Sequence, residues 1–272
     1  GYKAFLDSAR TERLAVRTGI EMAEQGGFVE FRRGMTMAPG TKVYSSVRGK
    51  ALLLAVIGQE SLEQGCVIAA AHVDSPRLDL KQNPMYEDTE LAYFKTHYYG
   101  GIKKYQWTAL PLELHGVVAL KSGQTVEISI GHERNEPQFI ITDLLPHLAA
   151  DQSKKTLSEA ITGEGLNILI GSVPAAEEGS DRVKLALLRL LNEKYGITEE
   201  DFLSAELSAV PAIETRDQGL DRSLIGGYGH DDRVCAYAEL RAILEMQMPR
   251  RSCVCILADK EEIGSEGVSG MK

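Results

Sequence analysis

Three short stretches carry the residue types that metal-assisted hydrolysis needs. In "AAAHVDSP", His72 and Asp74 follow directly on an apolar run. Ligands of open α/β sheets bind beyond the carboxyl ends of strands. Residues two apart in extended backbone point to the same side, so Asp74 can reach the His72 ring and fix its orientation. In "GYGHDDRV", His230, Asp231 and Asp232 stand at a predicted loop-to-helix junction. An acidic helix cap is one reading of that place; a carboxylate bridging two metal ions roughly 3.5–4 Å apart is the other. In "DKEEIGS", Glu261 and Glu262 sit side by side at the end of another apolar run. Adjacent side chains diverge, so one can bind a metal while the other takes a proton from an activated water and returns it. A solvated acidic turn is the plain alternative, and the company of the other two clusters weighs against it. Together they form a nitrogen and oxygen donor set without thiolate, suited to zinc, cobalt or manganese in a hydrolase. No P-loop, G-x-G-x-x-G fingerprint or G-x-S-x-G elbow is present.

The elements that must position these residues are legible from periodicity. Residues 2–25 place apolar side chains mostly at three- and four-residue steps, which predicts an amphipathic helix ending at Gly26-Gly27. "TKVYSSVRG", "ALLLAVIG" and "CVIAAAHVDS" read as strands, the last two as strands buried on both faces of a helix-covered sheet. Over residues 84–224 the texture becomes β-rich: "VVAL", "TVEISIG", "QFIITDLL" and "LNILIGSVP" are strand-like, with "KSGQ" a hairpin turn between the first two. A single helix, "SDRVKLALLRLLNEKYG", interrupts them, with Ser180 or Asp181 as cap and Gly196 as stop. The α/β texture then returns with "DRVCAYAELRAILEM" as a helix and "SCVCILAD" as a buried strand. The expected architecture is an α/β domain with a mixed sheet and helices on both faces, interrupted by a β-rich insertion. Its expected boundaries are 1–86, 87–222 and 223–272.

Composition sets outer limits. The chain has 272 residues, 43% of them hydrophobic, enough for one large or two modest cores. Its 30 basic against 39 acidic residues give a net charge of -9, which argues against nucleic acid or an anionic membrane surface as a partner. Cys66, Cys235, Cys253 and Cys255 all lie in apolar stretches without zinc-knuckle or redox spacing, so all four are expected as reduced core residues of a cytoplasmic protein. The first residues mix charge among apolar positions, unlike a signal peptide, and no stretch reaches the roughly 20 apolar residues of a membrane span. The start on Gly1 rather than Met suggests an incomplete N-terminus.

At the three clusters the sequence resembles the aspartyl aminopeptidase and aminopeptidase I family of dinuclear zinc exopeptidases. "HVDSPRLDLKQNP" is similar to that family's H-x-D-S-P-x-L-x-x-K motif, "DKEEIGS" to its D-x-E-E-x-G-S motif, and "GHDDRVCAYAEL" stands where the family carries an Asp-Asn pair opening a helix. Motif order and the insertion between the first two motifs match as well. The resemblance implies that His72 ligates one of two divalent ions, most naturally zinc, with cobalt or manganese as substitutes. Asp231 bridges both ions and Glu262 ligates the other. Asp74 orients His72, and Glu261 is the general base. It further implies removal of N-terminal residues from peptides, acidic in many members and neutral in others, and homo-oligomers of dimers, up to a dodecamer, assembled through the insertion. Asp231-Asp232-Arg233 in place of Asp-Asn, and the loosely matching "YYGGIKKYQWTAL", mark a divergent branch.

The resemblance also suggests that His147, in "LLPHLAAD", reaches a neighbouring subunit's site, against the plain alternative of a surface histidine. Two ions with a bridging carboxylate need about two terminal ligands each, and this chain offers one each, His72 and Glu262. The resemblance implies a further Asp and a final His beyond Lys272, and the 272 residues alone are expected to be inactive. Two other readings stay open: a metallo-deacylase or carboxypeptidase of the same clan, and a non-catalytic assembly protein that retains the fold.

Overall fold

The computed structural model describes residues 1–272. The chain forms two compact units, one made of Gly1–Ser75 with Glu214–Lys272 and the other of Pro76–Ile213. The boundaries thus fall at 75/76 and 213/214 rather than at 86/87 and 222/223. At the first boundary the reason is that residues 77–86, expected in the first domain, lie in a strand that is hydrogen-bonded into the sheet of the second unit.

In the first unit the expected helix over residues 2–25 is two helices, α1 (Tyr2–Ser8) and α2 (Glu12–Gln25). Thr11 makes the break: its backbone is extended, and its hydroxyl accepts the Leu14 N–H as an N-cap. The sheet contains β1 (Val29–Glu30), β2 (Lys42–Val47), β3 (Ala51–Val56), β4 (Val67–His72) and β13 (Cys253–Ala258), in the order β1-β2-β3-β13-β4, and β11 (Arg216–Gln218) with β12 (Leu224–Gly226) forms a separate antiparallel pair. It is mixed, as expected: β1–β2 and β13–β4 are parallel, β2–β3 and β3–β13 antiparallel. Phe5, Val16, Leu52, Leu54 and Leu257 share a core with Leu240 of α5 (His230–Glu245).

Two further expectations fail in this unit. β4 is not buried on both faces, since Val67 and Ile68 are 54% and 59% exposed on what is an edge strand here. Only Cys253 and Cys255 are buried; Cys66, just ahead of that edge strand, and Cys235, beside exposed Val234 on α5, face outward.

The second unit is a six-stranded antiparallel sheet in the order β8-β7-β10-β5-β6-β9. Its strands are β5 (Arg77–Asp88), β6 (Leu91–Tyr99), β7 (Leu112–Ala119), β8 (Thr125–Ile130), β9 (Ile168–Gly171) and β10 (Ala205–Pro211). The "KSGQ" segment is the turn between β7 and β8, with Gly123 at φ 86° donating to the Leu120 carbonyl. "QFIITDLL" does not form a strand; it contributes isolated bridges at Phe139 and Ile140 only. Two helices complete the unit, a short α3 (Leu157–Ala160) and α4 (Arg182–Tyr195). Gly196, left-handed at φ 72°, stops α4 as expected, whereas Asp181 occupies its cap position without a side-chain cap bond. Leu187 and Leu191 of α4 pack on a core of Leu78, Phe94, Leu112, Leu114 and Ile168. No helix in either unit is long and apolar enough to cross a membrane.

Candidate active site

Parallel pairing of β4 with β13 runs in register up to Ala258 opposite His72. It sets the carboxyl ends of the two strands side by side, so the residues that follow each strand meet. Beyond β13, Lys260 turns the chain at φ 68°, and Glu261 and Glu262 open a single 3-10 turn, Glu261–Ile263. Beyond β4, Asp74 is fully buried and binds in three directions. Its Oδ1 lies 3.2 Å from His72 Nδ1, and its two oxygens accept the N–H groups of Glu261 and Glu262, each at 3.2 Å. The Asp74 carbonyl adds a contact of 3.0 Å to the same ring nitrogen. With Nδ1 so engaged, Nε2 is the nitrogen left to face outward.

Asp231 comes to this point from α5. Asp231 and Asp232 have non-helical dihedrals, the peptide between them is cis, and regular helix follows them, so the predicted loop-to-helix junction is real. Ser75 Oγ donates to the Asp231 carbonyl at 2.9 Å, tying the junction to the end of β4. Arg233 anchors it from below: its buried guanidinium donates to the carbonyls of Val73 and Arg10. The Asp231 side chain is 87% exposed, and its Oδ1 is 3.3 Å from His72 Nε2. Glu261 Oε2 reaches within 3.7 Å of the same nitrogen.

The electrostatics follow from this crowding. Burial pulls the His72 pKa down, but the hydrogen bonds and charge of Asp74, with Glu261 beyond, outweigh it and raise the pKa to about 9. Burial raises the Glu262 carboxyl; the His72 charge opposes that, while Asp74, Asp231 and Glu261 reinforce it. A positive charge is therefore favoured at this spot, whether carried as a proton or as a cation.

The donors fit a zinc-class ion. Tetrahedral ligand atoms about 2.0–2.1 Å from zinc lie about 3.3 Å from one another, and the His72 Nε2 to Asp231 separation is 3.3 Å. His72, Asp231 and Glu261 of the expected set thus lie together beside the Asp74 keystone, which also holds the backbone of Glu262. His147 is exposed in the other unit. Sequence reasoning missed the double duty of Asp74 toward both glutamates, the tie from Ser75 and the Arg233 anchor. It also missed a separate group in the second unit, Glu113, His115 and His132, whose signal was an E-x-H alternation followed by a histidine just past a hairpin.

Residues 5–272 match a protein family described as aminopeptidase I zinc metalloprotease (M18). The chain is 51% identical to a protein of Clostridium acetobutylicum named as a probable M18 family aminopeptidase 1, over all of this chain and 59% of that relative's length. It superposes with TM-score 0.95 and 46% identity on a crystal structure of an M18 family aminopeptidase from Thermotoga maritima, again covering 100% of this chain and 59% of the other. A more distant structure, a yeast mApe1 dodecamer, shares the fold at TM-score 0.76 and 18% identity, over 99% of this chain and 62% of the other.

Proposed function

Because the chain belongs to the aminopeptidase I zinc metalloprotease family (M18), we propose that the protein it represents is a metal-dependent aminopeptidase that hydrolyses the first peptide bond of peptides. The observation that carries this reading is the convergence of Asp231 and Glu261 on His72 Nε2, with Asp74 holding the opposite edge of the ring. In this proposal His72, Asp231 and Glu262 would hold two divalent ions, zinc by donor chemistry, with Asp231 as the carboxylate available to both. The ions, when bound, supply Lewis acidity toward the scissile carbonyl and a water that ionises near neutral pH. Glu261 takes the proton from the attacking water and delivers it to the leaving amine. Asp74 acts on His72 and on the backbone of Glu261 and Glu262, keeping the base and the ligands in mutual register.

The chain spans 59% of the length of its curated relative. Activity is accordingly assigned to the full-length protein, with additional ligands supplied by residues beyond the 272. Homo-oligomerisation through the second unit is part of the same proposal, supported by the shared fold of a yeast protein described as a dodecamer.

The deciding experiment is an assay of the full-length protein on paired peptides that differ only in N-terminal acetylation, before and after metal stripping. Hydrolysis of the free-amine peptide alone, lost on stripping and restored by zinc, is the expected result. Cleavage of the acetylated peptide would identify a deacylase or carboxypeptidase, and stripped-state activity equal to the original would remove the metal from the mechanism.

A further inference from the structure

The second unit contains a polar constellation that the peptidase reading does not use. Glu113 and His115 stand two apart on β7 and so share one face, opposite the face on which Leu112 and Leu114 join the core. Both are almost wholly buried, at 2% and 3% exposure. β8 pairs antiparallel with β7, Leu114 opposite Ile130 and His115 opposite Ser129. Just past its end Gly131, at φ 98°, turns the chain so that His132 returns toward β7. A side chain at Gly131 would press on Glu113 and on the Pro137 carbonyl, so glycine is what permits the approach. Glu136 then fixes the turn from both sides of His132, its carboxylate accepting the N–H groups of Gly131 and Glu133 at 3.0 and 3.2 Å. His132 is thereby held in place by the backbone, though it lies at the surface.

The three side chains close around one point. Glu113 Oε1 is 3.0 Å from His115 Nε2, and Glu113 Oε2 is 3.3 Å from His132 Nδ1. One ligating atom from each residue can be chosen so that all lie within 4.8 Å of one another. The imidazole rings are 6.0 Å apart at 67°.

The decisive detail is His115. Despite the 3.0 Å approach of Glu113, neither of its ring nitrogens makes an aligned hydrogen bond, and both are buried. A buried imidazole with no hydrogen-bond partner is costly, about 1–3 kcal/mol for each polar atom left unsatisfied. A nitrogen and a carboxylate oxygen that lie close together without being aimed at each other are arranged as two ligands of a common third atom. Their spacing is close to the roughly 3.3 Å between tetrahedral ligands of zinc.

We propose that Glu113, His115 and His132 bind a single divalent transition-metal ion, with zinc the best match to a donor set of two imidazoles and one carboxylate. The ion lies at the open end of the β7–β8 hairpin, with the exposed side of His132 as its route of entry and water completing its coordination. Its role is structural: it ties the turn after β8 to β7 and satisfies His115 Nε2 in the interior.

The test uses the full-length, untagged protein, with zinc content measured by elemental analysis after exhaustive dialysis. A background variant, Asp231→Ala with Glu262→Ala, removes the ligands proposed for the peptidase site. In that background one zinc per subunit is expected to remain, and His132→Ala is expected to release it and weaken zinc binding at least roughly 100-fold. His132→Cys, which replaces one ligand by another, is expected to keep the ion; a residue acting only through a hydrogen bond to Glu113 would not be rescued in this way. Chelation should lower the thermal midpoint of the background variant and leave that of its His132→Ala derivative unmoved. Absence of zinc in the background variant, or retention of it after His132→Ala, overturns the proposal. Unchanged zinc content on passing from the wild type to the background variant would instead count against the peptidase site, so the two readings fail separately.

Discussion

Asp74 binds the ring of His72 through Oδ1 while its two oxygens also receive the backbone N–H groups of Glu261 and Glu262, so one buried carboxylate aligns all three. Asp74→Asn is nearly isosteric but turns an NH2 group toward at least one of those donors. Zinc affinity of the full-length protein, measured by chelator competition, should fall about 10- to 100-fold, as for loss of a residue that orients a metal ligand. Peptidase turnover should fall with it even at saturating zinc, because the glutamate pair loses its anchor. An unchanged affinity would mean that Asp74 does not hold His72 in its ligating orientation.

The adjacent glutamates are expected to separate by their response to loss of charge. Glu261→Gln should cost about 10²–10⁴ in turnover, the range for a general acid-base group, and leave zinc content nearly intact. Glu262→Gln should reduce zinc content first and activity as a consequence, with partial recovery at high zinc. Since Glu261 Oε2 already lies 3.7 Å from His72 Nε2, the reverse pattern would exchange the two assignments.

Gly229 and Gly27 offer a matched pair for measuring how tightly the Asp231 junction is built. Both have φ of 84°. A Cβ on Gly27 would meet nothing within 4 Å, whereas one on Gly229 would collide with the buried Arg233 guanidinium. Gly27→Ala should therefore cost only the left-handed backbone penalty, about 1–2 kcal/mol. Gly229→Ala adds displacement of the buried guanidinium from the carbonyls of Val73 and Arg10, a further cost of about 1.5–3 kcal/mol. Denaturant titration of the two variants reads the difference directly, and equal losses would show that Arg233 is free to move.

What could be read from the sequence was whatever depends on local pattern. The continuous apolar runs of β3, β4 and β13 declare themselves, and each of the last two ends at its polar cluster. The parallel pairing that sets those ends together joins residues 67–72 with 253–258, across the whole second unit, and no local pattern encodes it. β5 was hidden for a different reason. The charges and proline of "RLDLKQNPMYED" interrupt any apolar run, and the register shifts between Leu80 and Met85, around that proline. Glu113 and His115 were missed because polar residues alternating with leucine read as a solvated face, whereas here that face is buried.

Asp201 supplies a pH-dependent test of the second unit. It caps the 3-10 turn Glu199–Ser204: its Oδ2 accepts both the N–H and the hydroxyl of Thr198 at 2.7 Å, and Oδ1 accepts the Lys121 N–H at 2.9 Å. These bonds, the Thr198 hydroxyl first among them, hold its carboxyl below the ordinary value of 3.8. A carboxylate whose folded pKa is depressed contributes stability that is complete above its unfolded value and is lost as pH falls through the folded one. Asp201→Ala should therefore destabilise the unit by roughly 1–3 kcal/mol near neutral pH, from the loss of charge-assisted hydrogen bonds. The deficit should stay constant on acidification to about pH 5 and narrow below about pH 4, where the wild-type carboxylate takes up its proton. Denaturant midpoints of wild type and variant across that range measure the closing gap. A deficit that is the same at about pH 3 as at about pH 7 would show that the bonds of Asp201 do not depend on its charge.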